Sequence, residues 1–174
     1  MSTSAIGLQP QAGDLRPRAG DVMCITFLGV VAMLFAGFTA AYFIRRPSPD
    51  WVPITIPAWG WIGTGALVVS STLLERSRRR QDRGLLWASI LLGVLFLGTQ
   101  LLSWRELSAA GVYLPSTPHG SFYFMLSAVH GLHLGGGLCA LAWVTLRERP
   151  LRLVAAYWHF MGLVWLYVLF LLAS

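Results

Sequence analysis

The chain has 174 residues, of which 56% are hydrophobic, 13% aromatic and only 11% charged, with a mean hydropathy of +0.63. Soluble domains carry about a quarter charged residues, so this composition excludes an ordinary soluble domain and defines an integral membrane protein. The net charge of +6 comes from thirteen basic residues, all arginine, set in or beside the gaps between apolar runs, which makes the membrane surface their partner rather than nucleic acid.

Residues 1–21 read as a polar cytoplasmic tail, with Asp14, Arg16, Arg18 and several glycines and prolines. Such a stretch is too rich in breakers and charge for a signal h-region, so the first span is expected to act as its own uncleaved signal. Residues 22–174 read as one five-helix transmembrane domain. Crossing about 30 Å of hydrocarbon takes roughly twenty helical residues, and five segments qualify. The first runs from Val22 to Ile44 and is ended by Arg45-Arg46-Pro47. The second lies within Trp51 to Leu74, with Pro57 marking its start and Glu75-Arg76 its end. The third is Leu85 to Trp104, the fourth Ser121 to Leu146, and the fifth Leu153 to the C-terminus. These runs lack period-two alternation and are about twice as long as a barrel strand. The fold class is therefore an all-α membrane protein, a bundle of five transmembrane helices. Short loops predict that successive helices are antiparallel neighbours, and the longest connection is expected between Arg105 and Gly120.

Ten arginines flank the tail, the second loop and the fourth loop (16, 18, 76, 78, 79, 80, 83, 147, 149, 152). Three flank the first and third loops (45, 46, 105). The positive-inside rule then places the N-terminus in the cytoplasm and the C-terminus outside.

No Asp, Glu, Lys or Arg falls in the middle of a span, which argues against a pump or transporter working alone. There is no phosphate loop, triad order or carboxylate pair, so no catalytic residue is assigned. Cys24 and Cys139 lie in apolar segments without a CxxC or Cys/His cluster and read as small hydrophobes. The intramembrane polar residues are the chemistry-bearing candidates. His130 and His133 share one face of the fourth helix, and His159 lies on the fifth. One reading is a haem or metal held between these helices. The other is hydrogen bonding to backbone carbonyls, Ser127 or a neighbouring subunit. Ser127, Gly131 and Gly135 recur every four residues as a small-residue ridge for close helix packing. Ser70, Ser71 and Thr72, with Thr99 and Gln100, can bond across helices at about 1 kcal/mol or less each.

The run Phe122-Tyr123-Phe124-x-Leu126-x-x-x-His130-Gly131-Leu132-His133 resembles the penultimate helix of subunit III of haem–copper oxidases. Tyr157-Trp158-His159-Phe160-x-x-x-Val164-Trp165-Leu166 resembles that family's last helix. Met33-Leu34-Phe35 with Ala41-Tyr42-x-x-Arg45, Ser70-Ser71-x-Leu73, and Gly98-x-Gln100-x-x-x-Trp104 are similar to its earlier helices, so the likeness spans about residues 22 to 172. The resemblance implies a multi-pass subunit of a bacterial inner-membrane terminal oxidase, using cytochrome c or quinol, that reduces oxygen to water and pumps protons. It implies that haem and copper reside in partner subunits and that this chain holds no cofactor and no metal. It further implies that the chain braces subunit I by direct contact, binds phospholipids and supports proton uptake. Ser127, His130, Gly131, His133, Gly135, Tyr157, Trp158, His159 and Trp165 then become structural motif residues. Many relatives have seven helices and enclose lipid between the first two and the remainder; this chain has five. Val31 and Gly162 stand where many relatives carry a glutamate and an aspartate, so no role of those acids carries over. The accessory subunit of nitric-oxide reductase and an independent b-type cytochrome remain as alternatives.

Overall fold

The computed structural model describes residues 19–114 and 116–174; the tail bearing Asp14, Arg16 and Arg18, apart from its last three residues, lies outside them. Five helices follow one another, α1 (Ala19–Arg45), α2 (Ala58–Arg80), α3 (Arg83–Ala109), α4 (Pro118–Leu146) and α5 (Arg152–Ala173), with no strand among the described residues. Their ends follow local chemistry. Pro57 precedes α2, where it closes off the preceding extended segment. Asp82 caps α3 by accepting from the amides of Gly84 and Leu85, and Thr117 caps α4 from Gly120, with Pro118 in the first turn.

Four of these helices are long and apolar enough to cross a membrane; α2, with its glycines, hydroxyl groups and charged last turn, is not apolar enough on its own. Packing carries it through. Gln81 and Asp82 turn α2 back onto α3, and the two touch from the Gly60–Ser103 level through Gly63–Thr99 to Ser70–Ser89. A helix clasped antiparallel along the length of a span traverses the same thickness.

Two expectations are corrected. The helices α3 and α4 run further than their apolar cores, so the connection between them is only residues 110–117, and the longest connector is residues 46–57. Successive helices are not all neighbours: α1 packs on α5 and α4, not on α2, and residues 46–57 cross the end of the bundle to reach α2. The remaining order, α2 on α3, α3 on α4, α4 on α5 and α5 on α2, closes a ring of four helices.

The ring is tight because glycines stand where bulky residues cross. A Cβ on Gly93 would lie 2.6 Å from the Trp158 ring and 2.9 Å from Leu138 Cδ2. On Gly137 it would lie 2.8 Å from Tyr157, and on Gly63 it would collide with Thr99 Oγ1. Gly131 and Gly135 of the Ser127–Gly131–Gly135 ridge do not serve this way within the chain. A Cβ at Gly131 would make only ordinary contact with Leu97 at 3.7 Å, and at Gly135 it would meet nothing within 4 Å. The close approaches sit on the ring-facing side of α4 instead, where Gly137 is buried.

Gly93→Ala should therefore destabilise the bundle by about 1–3 kcal/mol, the usual cost of overpacking, since Trp158 is fully buried and has no direction in which to move. Gly135→Ala should be nearly neutral. Thermal unfolding of the two variants in mild detergent checks the contrast, and equal midpoints would refute this account of the packing.

Candidate functional site

The motif residues of α4 and α5 are drawn into the interior by residues that reach between helices. Tyr157 donates to the His133 carbonyl at 2.7 Å, its ring lying over Gly137. Trp165 Nε1 donates to Thr64 Oγ1 at 2.9 Å, tying α5 to α2. Trp104 Nε1 donates to Ser127 Oγ at 2.9 Å, and Ser127 in turn donates to the Tyr123 carbonyl one turn back at 2.5 Å. Ser70 and Ser89 exchange hydrogen bonds with each other's carbonyls at 2.8 and 2.9 Å, an α2–α3 clasp closed by the Ser70–Ser89 hydroxyl contact at 3.0 Å. Ser89 and Thr64, which carry the other halves of two of these bonds, were not singled out from sequence as bonding partners; a small hydroxyl residue in an apolar run is the only signal they give.

The three intramembrane histidines diverge. His130 is fully buried, with the rings of Phe35, Phe96 and Trp165 around it at centroid distances of 6.3, 5.7 and 4.9 Å. His133 turns toward α1, and its Nδ1–H donates to the Val129 carbonyl at 2.8 Å. His159 faces α2, with Nδ1 3.0 Å from Ser71 Oγ and Nε2 3.8 Å from Glu75. His130 and His133 approach a common ring, Phe35, but His159 lies apart from them on another face. No group of three or more His, Cys, Asp or Glu side chains capable of holding a metal occurs among the described residues. Cys24 and Cys139 are both free, the latter exposed on the side of α4.

Three polar side chains stand out for a different reason. Both ring nitrogens of His130, both amide atoms of Gln100 and Nε1 of Trp158 are enclosed without a hydrogen-bond partner among the described residues. An enclosed unpaired polar group costs about 1–3 kcal/mol in a protein interior.

At the ends of the bundle, charge takes over. Arg152 pairs with Asp21, Arg83 with Glu148, and Glu75 with Arg78 and Arg79 at 2.9 and 2.8 Å. Hydrogen bonds from Arg78 and Arg79 hold the Glu75 carboxyl down to about 2, so it is ionised throughout the physiological range. The opposite end is built on His119, which falls inside the Arg105–Gly120 connection expected from sequence. It lies instead in the first turn of α4, buried, stacked on Trp51 at 5.1 Å and flanked edge-on by Tyr42. Its Nδ1 accepts from the Ile54 amide at 3.0 Å and its Nε2–H donates to the Leu172 carbonyl at 3.1 Å. An amide can only donate and a carbonyl can only accept, so these two bonds fix the neutral Nε2–H tautomer. One ring thus joins the 46–57 connector, α4 and the end of α5.

These features define a multi-pass helical membrane protein whose interior polar groups join helix to helix. Cytochrome c oxidase subunit 3 of Corynebacterium diphtheriae is 30% identical over 195 aligned positions, which cover 94% of this chain and 95% of that protein. The probable cytochrome c oxidase subunit 3 of Mycobacterium tuberculosis is 28% identical, covering 95% and 93%. The probable quinol oxidase subunit 3 of Staphylococcus saprophyticus is 28% identical over 62% of each chain. No family model matches the chain. The chain belongs to the cytochrome c oxidase subunit 3 family, as multi-pass proteins of the bacterial inner membrane.

His119→Leu should orphan the Ile54 amide and the Leu172 carbonyl together and free the connector. Hydrogen–deuterium exchange across residues 46–57 should then accelerate by roughly tenfold or more, as expected for losing one or two buried bonds. Unchanged exchange at Ile54 would show that the connector is held by other contacts.

Proposed function

We propose that this chain is a non-redox accessory subunit of an aerobic terminal oxidase, which reduces oxygen to water and moves protons. In this reading it braces the catalytic subunit I by direct contact and supports proton uptake, while haem and copper stay in the partner subunits. The observation that carries the proposal is the similarity to subunit 3 proteins over nearly the whole of both chains. The interior supports it: Ser70, Ser127, Tyr157 and Trp165 bond to neighbouring helices, and the three histidines point in three directions. Membrane phospholipid is the second partner. An apolar groove of about 450 Å³ between α1, α4 and α5, lined by Phe27, Leu132, Leu153 and Tyr157, suits an acyl chain.

The arginine-rich end of the bundle, with Arg76, Arg78, Arg79, Arg80, Arg83, Arg147, Arg149 and Arg152, lies in the cytoplasm in this reading, by the positive-inside rule. Reporter fusions after Arg83 and Arg149 should report cytoplasm, and one near Ala110 the exterior. Reversed signals at all three would overturn the orientation while leaving the family assignment untouched.

Purification of the tagged chain in mild detergent should bring down haem–copper subunits and their visible spectrum. When the chain is then separated from them, the Soret absorbance should remain with the partners. A bis-histidine haem spectrum that follows the separated chain would refute the accessory reading.

A further inference from the structure

The antiparallel register of α3 and α4 is fixed by two contacts, Tyr123 donating to Ser103 Oγ at 2.9 Å and the His130 ring standing edge-on to Phe96. That register puts Gln100 opposite the turn Leu126–Ser127, one turn outward from His130. Gln100 Nε2 lies 3.4 Å from where a Cβ on Gly63 would sit, beside Thr64. Thr64 accepts from Trp165, and Trp165 overlies His130. All four helices of the ring therefore converge on one level, and four enclosed, unpartnered polar atoms are found there, two on Gln100 and two on His130.

The surroundings can satisfy only part of this set. An aromatic face of Phe96 or Trp165 can receive one N–H from His130, but rings cannot donate to the bare imidazole nitrogen or to Gln100 Oε1. Among the described residues, the remaining enclosed nitrogen without a partner, Trp158 Nε1, sits two turns from Trp165 along α5, roughly 10 Å at 1.5 Å per residue. Thr64 and Ser127 hydroxyl hydrogens are already directed at the carbonyls of Gly60 and Tyr123. What remains is a need for donors at two acceptors and an acceptor for an amide N–H, which is the bonding capacity of water. Buried waters typically make about three bonds to such groups.

We infer that Gln100 and His130 form a binding site for internal water, which links α3 to α4 beneath Trp165. Water there donates to the bare ring nitrogen of His130 and to Gln100 Oε1, and accepts from Gln100 Nε2–H. His130 is then a positioning residue that holds a solvent bridge, with no ligand role toward a metal.

The direct test is a cryo-EM map of the native assembly at a resolution that orders water. It should show a solvent peak within hydrogen-bonding distance of both Gln100 and His130. A map with no peak there, or with the amide bonded directly to the imidazole, would overturn the inference. A second test uses Gln100→Leu and His130→Phe, singly and together, in the assembled complex. Each single variant should speed loss of the subunit in warm detergent by about fivefold, and the double variant should be no worse than the poorer single one, because both remove one shared bridge. Losses that multiply in the double variant, or slower loss in Gln100→Leu, would count against a shared water.

Discussion

Hydrocarbon offers no partner to a polar group, and this constraint organises the whole molecule. Every hydroxyl and ring nitrogen kept in the spans has to find its partner inside the bundle or be paired by trapped solvent. The chain meets the requirement with single bonds placed between different pairs of helices: Ser70 with Ser89, Tyr123 with Ser103, Trp165 with Thr64, Tyr157 with the His133 carbonyl. Each is modest in energy, yet together they specify which helix lies beside which, because apolar surface cannot distinguish a neighbouring helix from lipid. Glycine makes room for the packing. Gly63 admits Thr99 of α3 against α2, and Gly93 leaves space for the Trp158 ring and Leu138.

Against that ring of four, α1 is held differently. Little of its apolar length is buried, 11% compared with 44% for α4, and its buried residues are Val31, Phe35 and Tyr42. Polar bonds secure its two ends. Arg152 pairs with Asp21 at one, while Arg46 donates to the Ser174 carbonyl and the His119 clamp gathers the connector at the other. The apolar groove beside Phe27 and Tyr157 lies between the Asp21–Arg152 end of α1 and the facing turns of α4 and α5.

The histidines show how one residue type divides by environment. His133 is satisfied by its own helix, His159 by Ser71 at the border with the charged end, and His119 by two backbone groups that it joins. His130 alone is enclosed among aromatic rings with both nitrogens unpaired by protein. A shared motif spacing placed His130 and His133 on one helix face, but three residues on an α-helix still differ by enough rotation that one ring enters the core and the other faces α1.

The sequence alone determined the membrane class, the number of helices and the contrast between arginine-rich and arginine-poor ends, because hydrophobic length and charge are properties of contiguous segments. It also carried the family likeness, since the motif spacings of α4 and α5 lie within single helices. Which glycines bear close contacts was not legible: Gly131 and Gly135 form a regular ridge in sequence, yet Gly93 and Gly137 meet Trp158 and Tyr157 in space. The same holds for the place of α1, the crossing of residues 46–57 over the bundle end, and the role of His119. Apolar helices present similar surfaces all round, so periodicity could not say which side faces which neighbour. That choice was made by pairs of residues far apart in the chain, Trp165 with Thr64 and His119 with Leu172, and only the tertiary structure brings such pairs together.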